Sequence, residues 1–468
     1  MGISLNQLTS SVNKVMTKIK ENYVPKEKNK ILSSNDYTNN DKEKVSKIVT
    51  NGDGTKFLSD DGTYKEFNSE PIGVDGQPIK EYGVRWDKSS SPTLTRLGDA
   101  IGLEAKAGTT NDVNTVVPND FDNIYPWSGR KQCNLSANGE VLAYKGDPDF
   151  KADGTNGNVM VETPKFYQKY VETDEYIEYW ISNGKLDGYR LSPRFIKKDG
   201  TELDKIYTGA YEASEGDSET VLASKSGVKY KTEMTMPEAR TYAKNIGSGW
   251  GLVDIAYRCD ILTFLFLIEF ATLNTQSILN GYFTSSYPPS YLNTGTTDIV
   301  KSSSGVENVN VGINTKPACI YRGEENPWSN INEFIDGINI KNDTIYVCSN
   351  PEDYECDKFE TPYNELSYKL PKIDSSTSEY IKFLGYDKNN PYCMIPKELN
   401  TSTNAGNLTY FCDQLEYTNE EKNNIVLTGN LGTVGDGLFF ISTASDSSSS
   451  TSVYSYNRHG ARLSYKPI

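Results

Sequence analysis

The chain has 468 residues, 36% of them hydrophobic, and a formal net charge of −15, with room for roughly two to four domains of about 100–200 residues each. That acidity argues against general nucleic-acid binding, which needs Lys and Arg to neutralise phosphates, and against attraction to anionic lipid. A single histidine, His459, argues against His-ligated zinc and against chemistry built on histidine pairs.

Along residues 3–22, Leu5, Leu8, Val12, Val15 and Ile19 recur at alternating spacings of three and four, the a/d pattern of a coiled coil. Two readings stand: an oligomerisation helix over residues 1–24, or a short amphipathic helix packed on its own chain. Met1 to Lys20 is too polar for a secretion signal. Residues 25–50 are charged and poor in apolar groups, as in a linker. Turn signals at Asn51-Gly52-Asp53-Gly54 and Asp60-Asp61-Gly62 flank a short strand at Lys56 to Ser59, and a second strand follows. A hairpin this small does not hold itself in water, so the segment 25–79 reads as a linker and short β stalk that needs neighbouring copies.

From about residue 80 to 468 short strands alternate with Gly/Asn/Asp turns, and two helices interrupt them. The first follows Thr235-Met236-Pro237, with Pro near the helix start. The second covers roughly Asp254 to Leu273, apolar on most faces and therefore buried. Its run Ile261 to Ile268 is less than half of the roughly 18 apolar residues that a membrane span needs. Gly281 to Asn314 is rich in Ser, Thr and Gly and reads as a long loop. The fold class is α+β, mostly β. The head over 80–468 has a β-rich part at 80–235 and a core at 236–468.

The seven Cys are odd in number and lack CxxC spacing, so they read as mostly reduced, buried thiols, with a bridge between the tightest pair, Cys348 and Cys356, as the alternative. Asp254 and Arg258 have the i,i+4 spacing of an ordinary helix ion pair. Glu269 is either a buried acid with a raised pKa or a carboxylate at the helix edge that pairs with a backbone group or a basic group. The cluster Asp147, Asp149, Asp153 and Asn156 is rich enough in oxygen for calcium, but it departs from the EF-hand spacing and reads as plain turns. No metal or other cofactor is expected.

The last stretch carries the clearest functional signal. An apolar run, Gly437-Leu438-Phe439-Phe440-Ile441, leads into a Ser/Tyr/Asn loop that returns to Gly460-Ala461-Arg462-Leu463. Tyr gives large contact area at low entropic cost and Ser gives adaptable hydrogen bonding, the chemistry of recognition loops. Tyr454 and Tyr456 alternate with Ser455, so in an extended segment both face one side. With Ser442, Asp446 and Asn457 they are the candidate receptor contacts. Tyr282, Tyr287 and Tyr291 form a second candidate set. The bland alternative is a Ser-rich surface loop without a ligand. Trp328 and Arg462 read as structural.

Several segments resemble bacteriophage proteins. Gly52 to Tyr64 looks like the short β motif of trimeric fibre stalks. Val84-Arg85-Trp86-Asp87-Lys88, Leu94 to Ala100, Ile124-Tyr125-Pro126-Trp127, Val161 to Tyr167 and Ile206 to Glu212 resemble the opening of phage tail and fibre adhesins. Arg322 to Phe334 and Gly460-Ala461-Arg462-Leu463 are similar to the ending of C-type-lectin-like domains, which include phage tropism determinants and formylglycine-generating enzymes. The resemblance spans most of residues 80–468. It implies a C-type-lectin-like head on a homotrimeric fibre that is made in the host cytoplasm and displayed on the virion. It also implies that the loop Ser442 to Asn457 faces the receptor.

The function expected is non-catalytic, multivalent attachment to a bacterial surface glycan or protein, alongside other virion proteins of capsid, collar or tail, without membrane insertion. A mainly structural head, collar or tail fibre is the near alternative. The alternatives of another class are an enzyme of the formylglycine-generating type, for which Cys393 and Cys412 are the late cysteines, and a cell-wall hydrolase, which needs a carboxylate pair in a cleft.

Overall fold

The computed structural model describes residues 13–14, 56–58, 64–66, 71–88, 91–109, 112, 114–279, 292–306, 309–311, 314–316, 319–373, 379–400, 411–416, 424–428, 437–439, 441–445 and 459–468. The chain divides into two compact units, Met1–Glu70 and Pro71–Ile468. In the first, Asn13 and Lys14 are helical and exposed, while Leu5, Leu8, Val12, Val15 and Ile19 lie outside the described residues. The strand Lys56–Leu58 pairs antiparallel with Tyr64–Glu66, placing Phe57 opposite Lys65.

The second unit is built from a five-stranded, a six-stranded and a ten-stranded sheet with smaller pairings around them, so the chain is α+β and mostly β. The five-stranded sheet is antiparallel and runs Arg190–Leu191, Tyr167–Glu172, Ile177–Ser182, Glu81–Trp86, Thr95–Gly98. Ile177, Tyr179 and Ile181 recur every second residue and are buried, because alternate side chains of a strand share one face. On the neighbouring strand Gly83 leaves room for the Trp180 ring, one atom of which lies 2.5 Å from where a Cβ would sit.

The six-stranded sheet is also antiparallel: Trp250–Leu252, Leu463–Tyr465, Lys205–Gly209, Asn158–Pro164, Lys131–Leu135, Val141–Tyr144. It draws strands from both sides of residue 235, and Leu463–Tyr465 is an interior strand rather than an edge. The end of the sequence is therefore held by backbone hydrogen bonds on both sides.

Both expected helices form. In Met236–Lys244 the Thr235 side chain accepts from the Glu238 backbone N–H while Glu238 reaches back to the Thr235 N–H, the reciprocal capping box that fixes a helix start. The buried helix opens as a π-helical turn, Tyr257–Leu262, and continues as Thr263–Phe270. Phe264 to Ile268 are all 0% exposed, and burying each side chain of that size contributes roughly 1.5–3 kcal/mol. They share one core with Val84, Trp86 and Tyr179 of the five-stranded sheet and with Ile338, Ile340 and Val347 of the ten-stranded sheet. Arg96 donates to the carbonyls of Ile268 and Glu269, which satisfies acceptors that the helix end leaves open. No helix among the described residues is long and apolar enough to cross a membrane.

Three expectations need correction. Asp254 and Arg258 do not pair: the Asp254 carboxylate accepts from the Tyr257 N–H at 2.8 Å and from Arg194 at 2.8 Å. Its role is that of a helix N-cap already engaged by another cation, and Arg258 points elsewhere. Glu269 is fully buried rather than at a helix edge, and it does meet a basic group: Arg322 Nη2 lies 2.6 Å from it, with Tyr321 and Asn119 donating to the same carboxylate. The segment read as one long loop, Gly281 to Asn314, contains the strands Ser304–Val306 and Val309–Val311, and a third, Asn314–Lys316, begins at its last residue. The first of these joins Cys319–Tyr321, since short Val-bearing runs take up strand pairing when an edge is offered.

Candidate functional site

The ends of the Ser/Tyr loop are held in a single sheet. The strand Ile441–Ser445, from which the loop leaves, pairs antiparallel with Asn424–Thr428 and parallel with Gln414–Glu416. The strand His459–Gly460, where it returns, runs parallel to Asn332–Phe334, which pairs with the same Asn424–Thr428. Ser445 lies opposite Asn424, and His459 is level with the Thr428 end of the same strand. The exit and return strands are therefore three strand spacings apart across the sheet, about 14 Å. The loop's two ends lie towards opposite ends of Asn424–Thr428, with residues 446–458 between them.

The turn before the loop is clamped from both sides. Arg258, carried on the π-helical turn, donates to the carbonyls of Leu438 at 2.6 Å, Gly437 at 3.4 Å and Pro327 at 3.2 Å. Its guanidinium is buried, and burial lowers its pKa to about 10. From the other side the N–H of Phe439 donates to Asp413 at 2.7 Å and that of Leu438 to Thr275 Oγ1 at 3.1 Å. Gln276 donates to the same Asp413 at 2.9 Å. Burial pushes the Asp413 carboxyl up to about 6 against these hydrogen bonds. Gly437 is required at the head of the turn, because a Cβ there would lie 2.1 Å from Thr275 Oγ1 and 2.5 Å from Asp413 Oδ1. Phe439 packs edge-on against Phe411 with ring centres 4.7 Å apart.

The returning segment is held as firmly. Arg462 is buried and bidentate with Glu333, at 2.7 and 3.2 Å, and also donates to the carbonyls of Gly209, Glu325 and Asn326. His459 is buried with its ring against Phe334. Trp328 is buried and donates its indole N–H to Leu279 O at 3.1 Å.

Of the candidate contacts, Ser442 lies in the exit strand with its side chain buried, so it belongs to the sheet that carries the loop. Asp446, Tyr454, Tyr456 and Asn457 lie outside the described residues, as do Tyr282, Tyr287 and Tyr291. Arg258, Asp413 and Thr275 carry no sequence signal linking them to the loop, from which they are far along the chain.

The oxygen-rich loop around Asp153 is closed by its own hydrogen bonds. Asp153 accepts from the Thr155 N–H at 3.0 Å and its hydroxyl at 2.7 Å, Asp147 accepts from the Tyr144 N–H at 2.8 Å, and Asn156 donates to Asp149 O at 3.0 Å. The Thr155 bonds hold the Asp153 carboxyl below the usual range. The loop forms one wall of a polar cleft of about 560 Å³ that Asn158, Asp217, Ser224 and Asn245 also line. Among the described residues no group of three or more His, Cys, Asp or Glu side chains is placed to hold a metal ion.

All seven cysteines are free, so the alternative of a Cys348–Cys356 bridge does not hold. The Cys356 thiol faces Arg240 at 3.7 Å. Cys393 sits beside Cys259, and burial together with that neighbouring thiol pushes its pKa well up. Burial raises Cys412 to about 11. Thiols so raised hold little thiolate at neutral pH, the form that acts as a nucleophile. Comparison with family models gives no match, and comparison with curated proteins gives none.

Proposed function

We propose that the chain is a virion fibre protein whose large unit is a C-type-lectin-like head that attaches to a receptor on the bacterial surface. The observation that carries this reading is the mounting of the Ser/Tyr loop. Both ends of residues 446–458 enter one sheet, and the turn before it is fixed by Arg258, Asp413 and Thr275. A rigid frame under an adaptable loop is how folds present binding residues. Tyr454, Tyr456, Asp446 and Asn457 are the contacts in this reading; Ser442, buried in the exit strand, is not one of them.

Attachment then acts by multiplication. The N-terminal segment trimerises through Leu5, Leu8, Val12, Val15 and Ile19 and docks on the particle, and weak contacts by several heads add up to avidity. The receptor is a surface glycan or protein, and no reaction is needed. The test replaces Tyr454 and Tyr456 with Ala in the full-length protein and measures adsorption to host cells. Binding should be abolished with the thermal midpoint nearly unchanged; retained binding would overturn the assignment of the loop. Light scattering should give a trimer, and a stable monomer would remove the multivalent mechanism.

A further inference from the structure

A second feature of the large unit lies outside the loop and its frame. Four lysines, Lys197, Lys198, Lys244 and Lys466, line a cavity of about 320 Å³ together with Trp250 and a single acidic side chain, Glu352. The chain as a whole carries −15, so this concentration of positive charge runs against its composition, and a concave wall focuses such a field. The volume falls at the lower end of the range for small-molecule pockets, about 300–1,000 Å³.

The lysines differ in how they are neutralised. Lys198 is shared between Asp353 at 3.1 Å and Glu352 at 3.6 Å. Lys197 donates to the Ile468 carbonyl at 2.8 Å. Lys466 is only 8% exposed, and its ammonium donates to the Pro193 carbonyl at 3.0 Å. Among the described residues no carboxylate lies within ion-pair distance of it. Behind it Arg194 pairs through Nη1 with Asp254 at 2.8 Å, and Arg194 Nε and Nη2 have no hydrogen-bond partner there. Lys466 and Arg194 thus share one nearby buried carboxylate, Asp254. A buried cation without a direct ion pair is costly, and burial, reinforced by Arg194 and only partly offset by Asp254 and Glu352, lowers Lys466 to about 8.

We infer that this cavity binds a phosphate group, which supplies the direct ion pair that Lys466 lacks. The choice of phosphate follows from the number of charges. Elsewhere in this unit a lone lysine meets a single carboxylate, as in Lys80–Asp99 and Lys205–Glu162. Four ammonium groups on one small cavity suit a multiply charged anion, on which they act as point charges. Lys198 and Lys244 are exposed at its rim and draw the anion in, and Lys466 meets it inside. The phosphate is free or is an ester on a saccharide. The site goes beyond the attachment proposal and does not rest on it.

Calorimetric titration of the full-length protein with inorganic phosphate, glucose 6-phosphate and glucose tests this without host cells. Both phosphates should bind, with affinity falling as sodium chloride is raised, and glucose should give no heat. Tighter binding of glucose 6-phosphate than of phosphate identifies an ester as the ligand class, and equal binding identifies free phosphate. The rim variant K198E/K244E should lose about tenfold or more in affinity through like-charge repulsion. K244E alone, which spares the pairs of Lys198 with Asp353 and Glu352, should lose affinity with an unchanged thermal midpoint. Absence of heat from both phosphates, equal binding of glucose, or unchanged affinity in K198E/K244E would each overturn the inference. The comparison of glucose with its phosphate uses the unaltered protein, so it stands even if a variant folds poorly.

Discussion

Arg462 and Glu333 form a buried bidentate ion pair, at 2.7 and 3.2 Å, that joins the link between His459–Gly460 and Leu463–Tyr465 to the strand Asn332–Phe334. Glu333 lies opposite Gly460 in a parallel pairing, and Arg462 follows Gly460 by two residues, so the ion pair and the backbone bonds fix the same junction. Arg462 also serves three carbonyls, which makes it the local hub of polar contacts.

Replacing Arg462 with Met leaves Glu333 buried without its counter-charge. A loss of about 3–5 kcal/mol is expected, as for other broken buried pairs. The double variant R462M/E333M should recover part of that loss but stay below the parent, because the Gly209, Glu325 and Asn326 carbonyls lose their donor. Urea unfolding of the three proteins measures both quantities. A double variant less stable than R462M would show that the pair is not the source of the stabilisation.

Gly437→Ala should destabilise by roughly 1–3 kcal/mol, the usual cost of forcing a group into a packed site. Its Cβ would press on Thr275 Oγ1 and on Asp413, the two groups that receive the N–H bonds of the turn. Loss of thermal midpoint together with weakened adsorption to host cells is the expected result. A midpoint equal to the parent's would mean that the clamp yields freely.

Calcium is not expected to support the Asp153 loop. Its carboxylate is already held by the Thr155 N–H and hydroxyl, and a cation would have to displace both. A chelator should leave the thermal midpoint unchanged, and added calcium should not raise it. An upward shift with calcium would place a ligand set in the cleft that those hydrogen bonds now close.

Much of the scaffold was legible where it depended on local chemistry. The capped helix at Thr235 was marked by Pro237 and Glu238, and the buried helix by the apolar run Ile261 to Ile268. The glycine-headed segments at 437 and 460 marked the frame of the loop. What escaped depended on distant residues. Nothing near Arg462 names Glu333, and nothing near Asp254 names Arg194, which takes the carboxylate that local spacing assigns to Arg258. The π-helical turn also carries the Arg258 guanidinium to the Leu438 carbonyl, and an i,i+4 rule written for α-helices does not anticipate this. Lys466 is the clearest such case: a lysine near the end of the sequence looks solvated, yet it is buried beside Arg194.

Asp413 gives the frame a dependence on pH. Its folded pKa is about 6 against an ordinary value of 3.8, so between those values the folded protein binds a proton that the unfolded chain releases. By linkage, stability contributed by this group falls as pH rises through that window. Above about pH 6 it reaches its full penalty, about 3 kcal/mol for a difference of this size. Asp413→Asn keeps an acceptor for Phe439 and removes the titration. Unfolding of parent and variant at about pH 4 and about pH 7 isolates the effect, since carboxyls with depressed pKa such as Asp153 are common to both. The stability of D413N relative to the parent should rise from the lower to the higher pH. A constant difference would mean that Asp413 stays ionised across the window, with Arg258 and the hydrogen bonds from Gln276 and Phe439 offsetting the cost of burial.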